Sequence, residues 1–183
     1  MKYLAIVCFF HLSVFAASAQ RNDDAGKVKN FSNAAGLSIA IPVEAFKRTH
    51  SAGIMVEYMR SKNHFGLNAQ VKHRWRFVPC ASFAFFPGKT VLTAGYPFTY
   101  GNYLIVYFGG GVDYKPSGPL NFNFNAGPLG SYYKKGWNLG FGLNLVAGYD
   151  ISTRISTGPV LALRKMKDAD PLWSAGAKLL YAF

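Results

Sequence analysis

The residues able to do chemistry are few and scattered. Hydrolytic or transfer chemistry needs a nucleophile, a base and a group that orients the base, all brought together. Beyond the first twenty residues the histidines are His50, His64 and His73, each near an expected turn or strand end, and nothing past isolated His and Ser residues assembles such a group. Gly109-Gly110-Gly111 lacks the following lysine and helix that a phosphate-cradling loop requires. It reads better as a place where neighbours approach closely inside a strand. Paired-cysteine and His-rich metal spacings are absent, and Met55, Met59 and Met166 are too scattered to form a metal path. These residue types point away from an enzyme, a cofactor or a bound metal. What remains is charge, with 20 Lys and Arg against 8 Asp and Glu for a formal +12.

The position of that charge depends on the elements that carry it. At the front, Lys2 precedes an apolar run from Tyr3 to Phe15, and Ala17-Ser18-Ala19 follows before Gln20. A short basic start, an apolar stretch and a small-residue box make residues 1–19 a secretory signal peptide cleaved after Ala19. The run is shorter than the roughly 20 apolar residues that a membrane-crossing helix needs. Cleavage would leave 164 residues, Gln20 to Phe183, with Cys80 as the one cysteine and hence no internal disulfide. Half the residues are apolar and 16% aromatic, yet no run in this part is long enough for a helical span. In hydrocarbon only helices and closed barrels satisfy their own backbone hydrogen bonds, so such a chain points to strands that face lipid.

Alternation of period two supports this. From Trp137 to Tyr149 one face carries Trp137, Leu139, Phe141, Leu143, Leu145, Ala147 and Tyr149, the other Asn138, Gly140, Gly142, Asn144, Val146 and Gly148. Aromatic ends around an aliphatic middle are what a strand crossing two interfacial girdles requires. Leu120, Phe122, Phe124 and Ala126 likewise oppose Asn121, Asn123 and Asn125, and residues 103–114 put Leu104, Val106, Phe108, Val112 and Tyr114 opposite Gly109, Gly111 and Asp113. Ten strands are predicted, near 36–46, 52–60, 64–75, 77–87, 90–99, 103–114, 120–130, 137–149, 154–164 and 173–183. The fold class is all-β, a single antiparallel up-and-down transmembrane barrel over 36–183, after a periplasmic segment 20–35. Alternation is poor over 77–99, where Pro79, Pro87 and Pro97 belong at strand ends or irregularities. One irregular crossing there would reduce the count to eight.

With both termini in the periplasm, the alternation turns Glu44, Glu57, Lys72, Asp113 and Lys178 into the lumen. A packed set of ion pairs or a narrow solute path would follow. Lys47, Arg48, Arg74, Arg76, Lys134, Lys135, Arg164, Lys165 and Lys167 fall at the outer loops and strand tips, offset by Asp168 and Asp170. Such a rim can bind phosphates through charge-assisted hydrogen bonds. It also follows from the exclusion of charge by lipid, which costs about 2–4 kcal/mol for Arg or Lys at the midplane.

The last segment places Trp173, Ala175, Ala177, Leu179, Tyr181 and Phe183 on one face. With Gly176, Leu179, Tyr181 and the final Phe183, it resembles the signal that outer-membrane barrels present to their assembly machinery. The whole chain after residue 19 resembles the small outer-membrane β-barrels of the OmpX and OmpA-barrel type, and those of Bacteroidota in particular. The stretch Gly36 to Tyr58, a strand ending near a proline, a polar loop and a strand led by a small residue and glycine, resembles their opening hairpin. That resemblance implies residence in a Gram-negative outer membrane and no uniform activity. The expectation is a non-enzymatic envelope protein with a structural, adhesive or surface-binding role, in contact with outer-membrane lipid and lipopolysaccharide and not with nucleic acid. A small pore and a secreted soluble barrel carrier are the alternatives, and the oligomeric state is left open.

Overall fold

In the computed structural model, which describes residues 32–61, 75–116, 118–167 and 169–183, the chain forms an antiparallel barrel. The elements in chain order are β1 (Ser32–Pro42), α1 (Glu44–Thr49), β2 (Gly53–Ser61), β3 (Trp75–Phe86), β4 (Thr90–Thr93), β5 (Tyr96–Thr99), β6 (Tyr103–Tyr114), β7 (Leu120–Tyr133), β8 (Gly136–Asp150), β9 (Ile155–Met166) and β10 (Leu172–Ala182). The ring runs β1-β10-β9-β8-β7-β6-β3-β2 and closes where β1 pairs with β10, from Ala34 opposite Ala182 to Pro42 opposite Ser174. Closure leaves the barrel without a free edge.

The barrel therefore has eight strands, not ten. The predicted strand 90–99 breaks at Ala94-Gly95, whose φ values of 51° and 83° reverse the chain into the two-stranded hairpin β4–β5. Each arm has four residues, where a crossing strand needs about 9–11. The hairpin stands apart from the ring as a sheet of its own. The predicted strand 64–75 lies, apart from Trp75, outside the described residues, and the ring is complete without it because β2 pairs directly with β3. Pro79 is a second correction. It sits within β3 opposite Gly110 with its ring outward, on a strand spanning 75–86 without interruption. Proline removes one ladder donor; β3 pairs with β6 along its whole length but with β2 only over Cys80–Phe85, so Pro79 lies just beyond the β2 ladder.

Alternation decides what faces where. Leu37, Ile39, Ile54, Val56, Phe108, Phe122, Phe124, Phe141, Leu145 and Leu161 are exposed on the outer surface, while Ser38, Glu57, Asp113, Asn123, Asn125, Asn144 and Lys178 are buried within. Toward the ends of this belt lie Trp75 and Tyr114, with ring centroids 4.4 Å apart, and Tyr132 and Trp137, 5.5 Å apart. The outside is thus apolar, while the inside is mixed, with buried ion pairs and amides standing among apolar residues such as Met55, Val78, Ile105, Leu129 and Met166. The start of β1, the end of β10, the link from β6 to β7 and the link from β8 to β9 lie at one end, the terminal end. Helix α1, the β4–β5 hairpin, the Lys134-Lys135 turn and the link from β9 to β10 lie at the other, called here the loop end.

Candidate functional site

Buried ion pairs stand in the barrel interior. Lys178 on β10 donates to Glu57 Oε1 on β2 at 2.5 Å. The two strands flank β1, so the pair crosses over it, at Gly36. A Cβ there would lie 3.1 Å from Lys178 Cε and 3.6 Å from Glu57 Cβ, and the glycine leaves the lysine stem its path. Arg76 pairs with Asp113, its register partner on the neighbouring strand. Lys115 donates to Asp150 Oδ2 at 2.7 Å, and Asn121 Nδ2 reaches the other carboxylate oxygen at 2.8 Å. All six charged side chains are nearly inaccessible. Their burial is tolerable because each charge has an opposite partner.

Between these pairs the polar residues form a chain. Tyr107 Oη donates to Asn125 Oδ1 at 2.8 Å, Asn144 Nδ2 donates to the same oxygen at 2.9 Å, and Asn125 Nδ2 donates to Asn123 Oδ1 at 2.8 Å. The triple glycine explains how a tyrosine fits here. A Cβ on Gly109 would fall 2.2 Å from Tyr107 Oη, so the ring occupies the space that a side chain would fill, and Gly142 borders its other edge. Arg164 lies across the same ring, 5.0 Å from its centroid, and donates to the carbonyls of Leu143 and Leu163.

Two small spaces lie among these residues. A cavity of about 30 Å³ toward the terminal end is bordered by Arg76, Asp113, Asn123, Asp150 and Lys178, and one of about 10 Å³ toward the loop end by Phe46, Met55, Arg164 and Ser174. A water needs about 10–15 Å³ by this measure, so these spaces suit a few waters.

At the loop end α1 forms a lid. Phe46 is buried against Phe86 and Tyr103, with centroids 5.1 and 5.7 Å away. His50 follows, buried among Phe46, Tyr103 and Tyr133. Its Nε2–H donates to the Gly101 carbonyl at 3.2 Å, and Nδ1 lies 2.8 Å from Thr49 Oγ1. Burial holds His50 below its ordinary value, the hydrogen bond to Gly101 opposes this, and the nearby Lys89 charge adds to it. The unfolded imidazole therefore binds a proton more readily than the folded one, so stability rises with pH across that interval. The lid is expected to be fully in place above about pH 6.5, the ordinary histidine value, and to loosen as the pH falls toward the lower folded value. Amide exchange at His50 and Ser51, which donate to Phe46 and Pro87, corrected for its intrinsic pH dependence, should report this. Protection unchanged between pH 7.5 and 5 would rule it out.

The predicted site residues divide. Glu57, Asp113 and Lys178 lie in the interior, and Lys72 falls outside the described residues. Glu44 does not face the lumen: β1 ends at Pro42, and Glu44 opens α1 exposed at the loop end, at φ 53°. Lys47, Arg48, Lys134, Lys135, Lys165 and Lys167 are exposed at the loop end, while Arg74 lies outside the described residues. Arg76 and Arg164 are corrections to the expected rim. With eight strands β3 starts from the terminal end, which carries Arg76 inward there, and β9 runs on to Met166, which turns Arg164 into the interior. Lys115, Asp150 and the loop-end Lys89 were missed. Asp150 falls on the inward alternation of β8, a signal the sequence contained, whereas Lys115 lies just past the end of β6.

Glu44 and Asp170 are exposed at the loop end, but neither pairs closely with its cations. None of Lys47, Arg48, Lys89, Lys134, Lys135, Lys165 and Lys167 has a carboxylate within 4.0 Å among the described residues. Lys89 and Lys165 donate instead to the carbonyls of Lys47 and Ala169. Lys134 and Lys135 form the β7–β8 turn with φ of 47° and 74°. A two-residue turn with both φ positive favours Asn-Gly, and each non-glycine residue held there costs on the order of 1 kcal/mol.

No protein-family model matches the chain, and no curated protein matches it in sequence. Solved structures do match its fold. Ail of Yersinia pestis, crystallised in complex with the heparin analogue sucrose octasulfate, aligns with a TM-score of 0.55 and 6% identity over 84% of this chain and 97% of that one. The N-terminal β-barrel domain of Pseudomonas aeruginosa OprF aligns with a TM-score of 0.52 and 11% identity, over 86% and 100%. Ail in a phospholipid bilayer nanodisc aligns with a TM-score of 0.50 and 13% identity, over 82% and 99%. The chain has the fold of the small outer-membrane β-barrels. At these identities the likeness concerns architecture. The apolar outer wall and the buried ion pairs within are properties of this chain's own residues.

Proposed function

We propose that this chain is an exported, non-enzymatic outer-membrane protein, a closed barrel that holds a basic loop end at the cell surface to bind anionic groups such as lipopolysaccharide phosphates. The outer wall carries the reading: large apolar side chains cover the outside of a closed barrel, while buried ion pairs and amides stand among apolar residues inside it. Hydrocarbon outside and an interior crossed by buried ion pairs and packed apolar side chains suit an anchor better than a pore. Residues 1–19 act in this reading as the export signal. The outward row Leu179, Tyr181 and Phe183, with Gly176, serves the assembly machinery during insertion.

The turn at Lys134-Lys135 supports the choice of ligand. Strained backbone persists where function uses it, and two adjacent lysines in the left-handed region favour charge display over turn stability. Replacing them by Asn and Gly (Lys134→Asn with Lys135→Gly) is expected to stabilise the barrel by about 1–2 kcal/mol, from the relieved backbone, and to weaken binding to lipopolysaccharide. Denaturant midpoints and lipopolysaccharide titration on the same nanodisc samples would check both. A variant that gained stability and kept its affinity would remove the turn from the ligand site.

Location and sealing are tested together. Cells expressing the full chain should yield a protein in the outer-membrane fraction that migrates faster unheated than boiled on a detergent gel. The purified protein should give no steady conductance in planar bilayers. Appearance in a soluble fraction without a heat shift would overturn the membrane reading, and stable unitary currents would favour the pore.

A further inference from the structure

The β4–β5 hairpin is not explained by an anchor with a basic rim. From Thr90 to Thr99 it carries no charged residue, although it projects from the end of the molecule richest in lysine. Leu92 is 77% exposed, Tyr96 78% and Phe98 44%. The hairpin leaves both faces open: Leu92 and Pro97 stand opposite each other on one, Val91 and Phe98 on the other. Cations gather at its base. Lys89 precedes it and donates to the Lys47 carbonyl at 2.8 Å, and Lys134 Nζ lies 5.2 Å from the centroid of the Phe98 ring. Thr90 and Thr99 hold the two arms together through their hydroxyls at 2.9 Å.

We propose that this hairpin and the lysines at its base form a docking surface for an anionic lipid bilayer facing the loop end, such as the surface of another membrane. The inference rests on the membrane reading given above and names the partner of the same basic end. Charge complementarity supplies the argument. A purely polyanionic ligand would use the lysines and gain nothing from exposed leucine, tyrosine and proline. A neutral apolar partner would gain nothing from cations that have no carboxylates beside them. An anionic bilayer presents both features in the matching order, phosphates at its surface and hydrocarbon beneath. A segment ending in apolar side chains with basic residues behind it enters such an interface with the tip below the headgroups and the lysines level with them. The positive φ of Ala94 and Gly95 keeps the tip a tight turn, so an apolar wedge is presented without ordering a long loop.

The experiment uses the full chain in nanodiscs of zwitterionic lipid and its cosedimentation with sucrose-loaded vesicles of phosphatidylcholine containing phosphatidylglycerol. Three proteins are compared: the wild type, Leu92→Ser with Tyr96→Ser, and Lys134→Asn with Lys135→Gly. A heat shift on gels establishes that each barrel is folded. The wild type should sediment with the anionic vesicles and not with pure phosphatidylcholine. The hairpin variant should bind them at least about tenfold more weakly, the order expected for withdrawing one leucine from hydrocarbon. It should keep its affinity for lipopolysaccharide and for heparin, while the lysine variant weakens toward vesicles and polyanions alike. Undiminished vesicle binding by the hairpin variant, or none by the wild type, overturns the docking surface. Polyanion binding that persists in either case leaves the basic-rim reading standing. A protein that binds heparin and ignores vesicles identifies the partner as a polyanion instead. Absence of a membrane fraction and heat shift defeats the underlying reading first.

Discussion

Replacing Glu57 with alanine is expected to cost the barrel about 3–5 kcal/mol, the range for breaking a buried ion pair by removing one partner. Lys178 would keep its charge at a site with almost no access to solvent, retaining the Met59 sulfur at 3.4 Å as a weak acceptor in place of the carboxylate. Coulomb repulsion from Arg164 would no longer be offset by Glu57, which contributes to the field at that guanidinium. The double variant Glu57→Leu with Lys178→Leu removes both charges, and well-packed apolar replacements for a buried pair are often neutral or better. It should therefore recover most of the loss. Denaturant unfolding of the wild type, Glu57→Leu, Lys178→Leu and the double variant in one detergent gives the coupling directly. If Glu57→Ala unfolds at the wild-type midpoint, water reaches Lys178 and the interior is wetter than a sealed one. If the single effects simply add, the pair is not the unit argued here.

The same pair shows what the sequence makes legible. Alternation alone turns Glu57 and Lys178 to one side, because a strand's side chains alternate whatever its partners are. Their meeting across β1 needs the register, with Gly36 opposite both Glu57 and Leu180, and the closure of β1 on β10. Neither is written in local pattern. Faces were readable along β2, β6, β7, β8 and β10, where large apolar residues alternate with small or polar ones. Reading failed where a strand end had to be located. Glu44 is two residues past the end of β1, and Arg164 two residues before the end of β9. A shift of two residues changes nothing about alternation but moves a charge between lumen and loop. Arg76 failed for a different reason: the miscounted strand inverted the direction of β3, and with it the end of the barrel at which the arginine lies.

One of the two surplus strands turned on ten residues. Thr90 to Thr99 have the β-branched and aromatic composition of a strand, and only the positive φ of Ala94 and Gly95 divides them. Alanine gives little warning of that conformation, which asparagine or glycine would signal. The lysine turn hides itself the same way, since Lys134-Lys135 lacks the residues that usually mark a two-residue hairpin. In both places the loop end departs from the cheapest turn sequence. Both departures serve display, of an apolar tip in one case and of paired charge in the other.

Gly176→Val is the substitution expected to damage closure most. A Cβ at this position would lie 1.8 Å from the Ile39 carbonyl oxygen and 2.9 Å from its carbon, both backbone atoms of the strand that closes the ring. A flexible neighbour could swing aside, but this contact yields only if β10 and β1 separate. Overpacking of this kind costs about 1–3 kcal/mol, and the upper end applies where the seam has no other route to closure. Sequence pattern alone suggests another role for Gly176, as part of a signal read by assembly machinery, and the two accounts part in purified protein. Refolding from urea into detergent, with no assembly machinery present, should leave Gly176→Val mostly in the unshifted gel form and Gly176→Ala impaired to a lesser degree. Equal refolding of all three proteins, with poor insertion of the variants in cells, would transfer the glycine from the seam to the signal. Replacing outward Ala177 with valine adds volume toward lipid at the neighbouring position, and it should refold like the wild type, which separates added bulk from bulk placed against the Ile39 carbonyl.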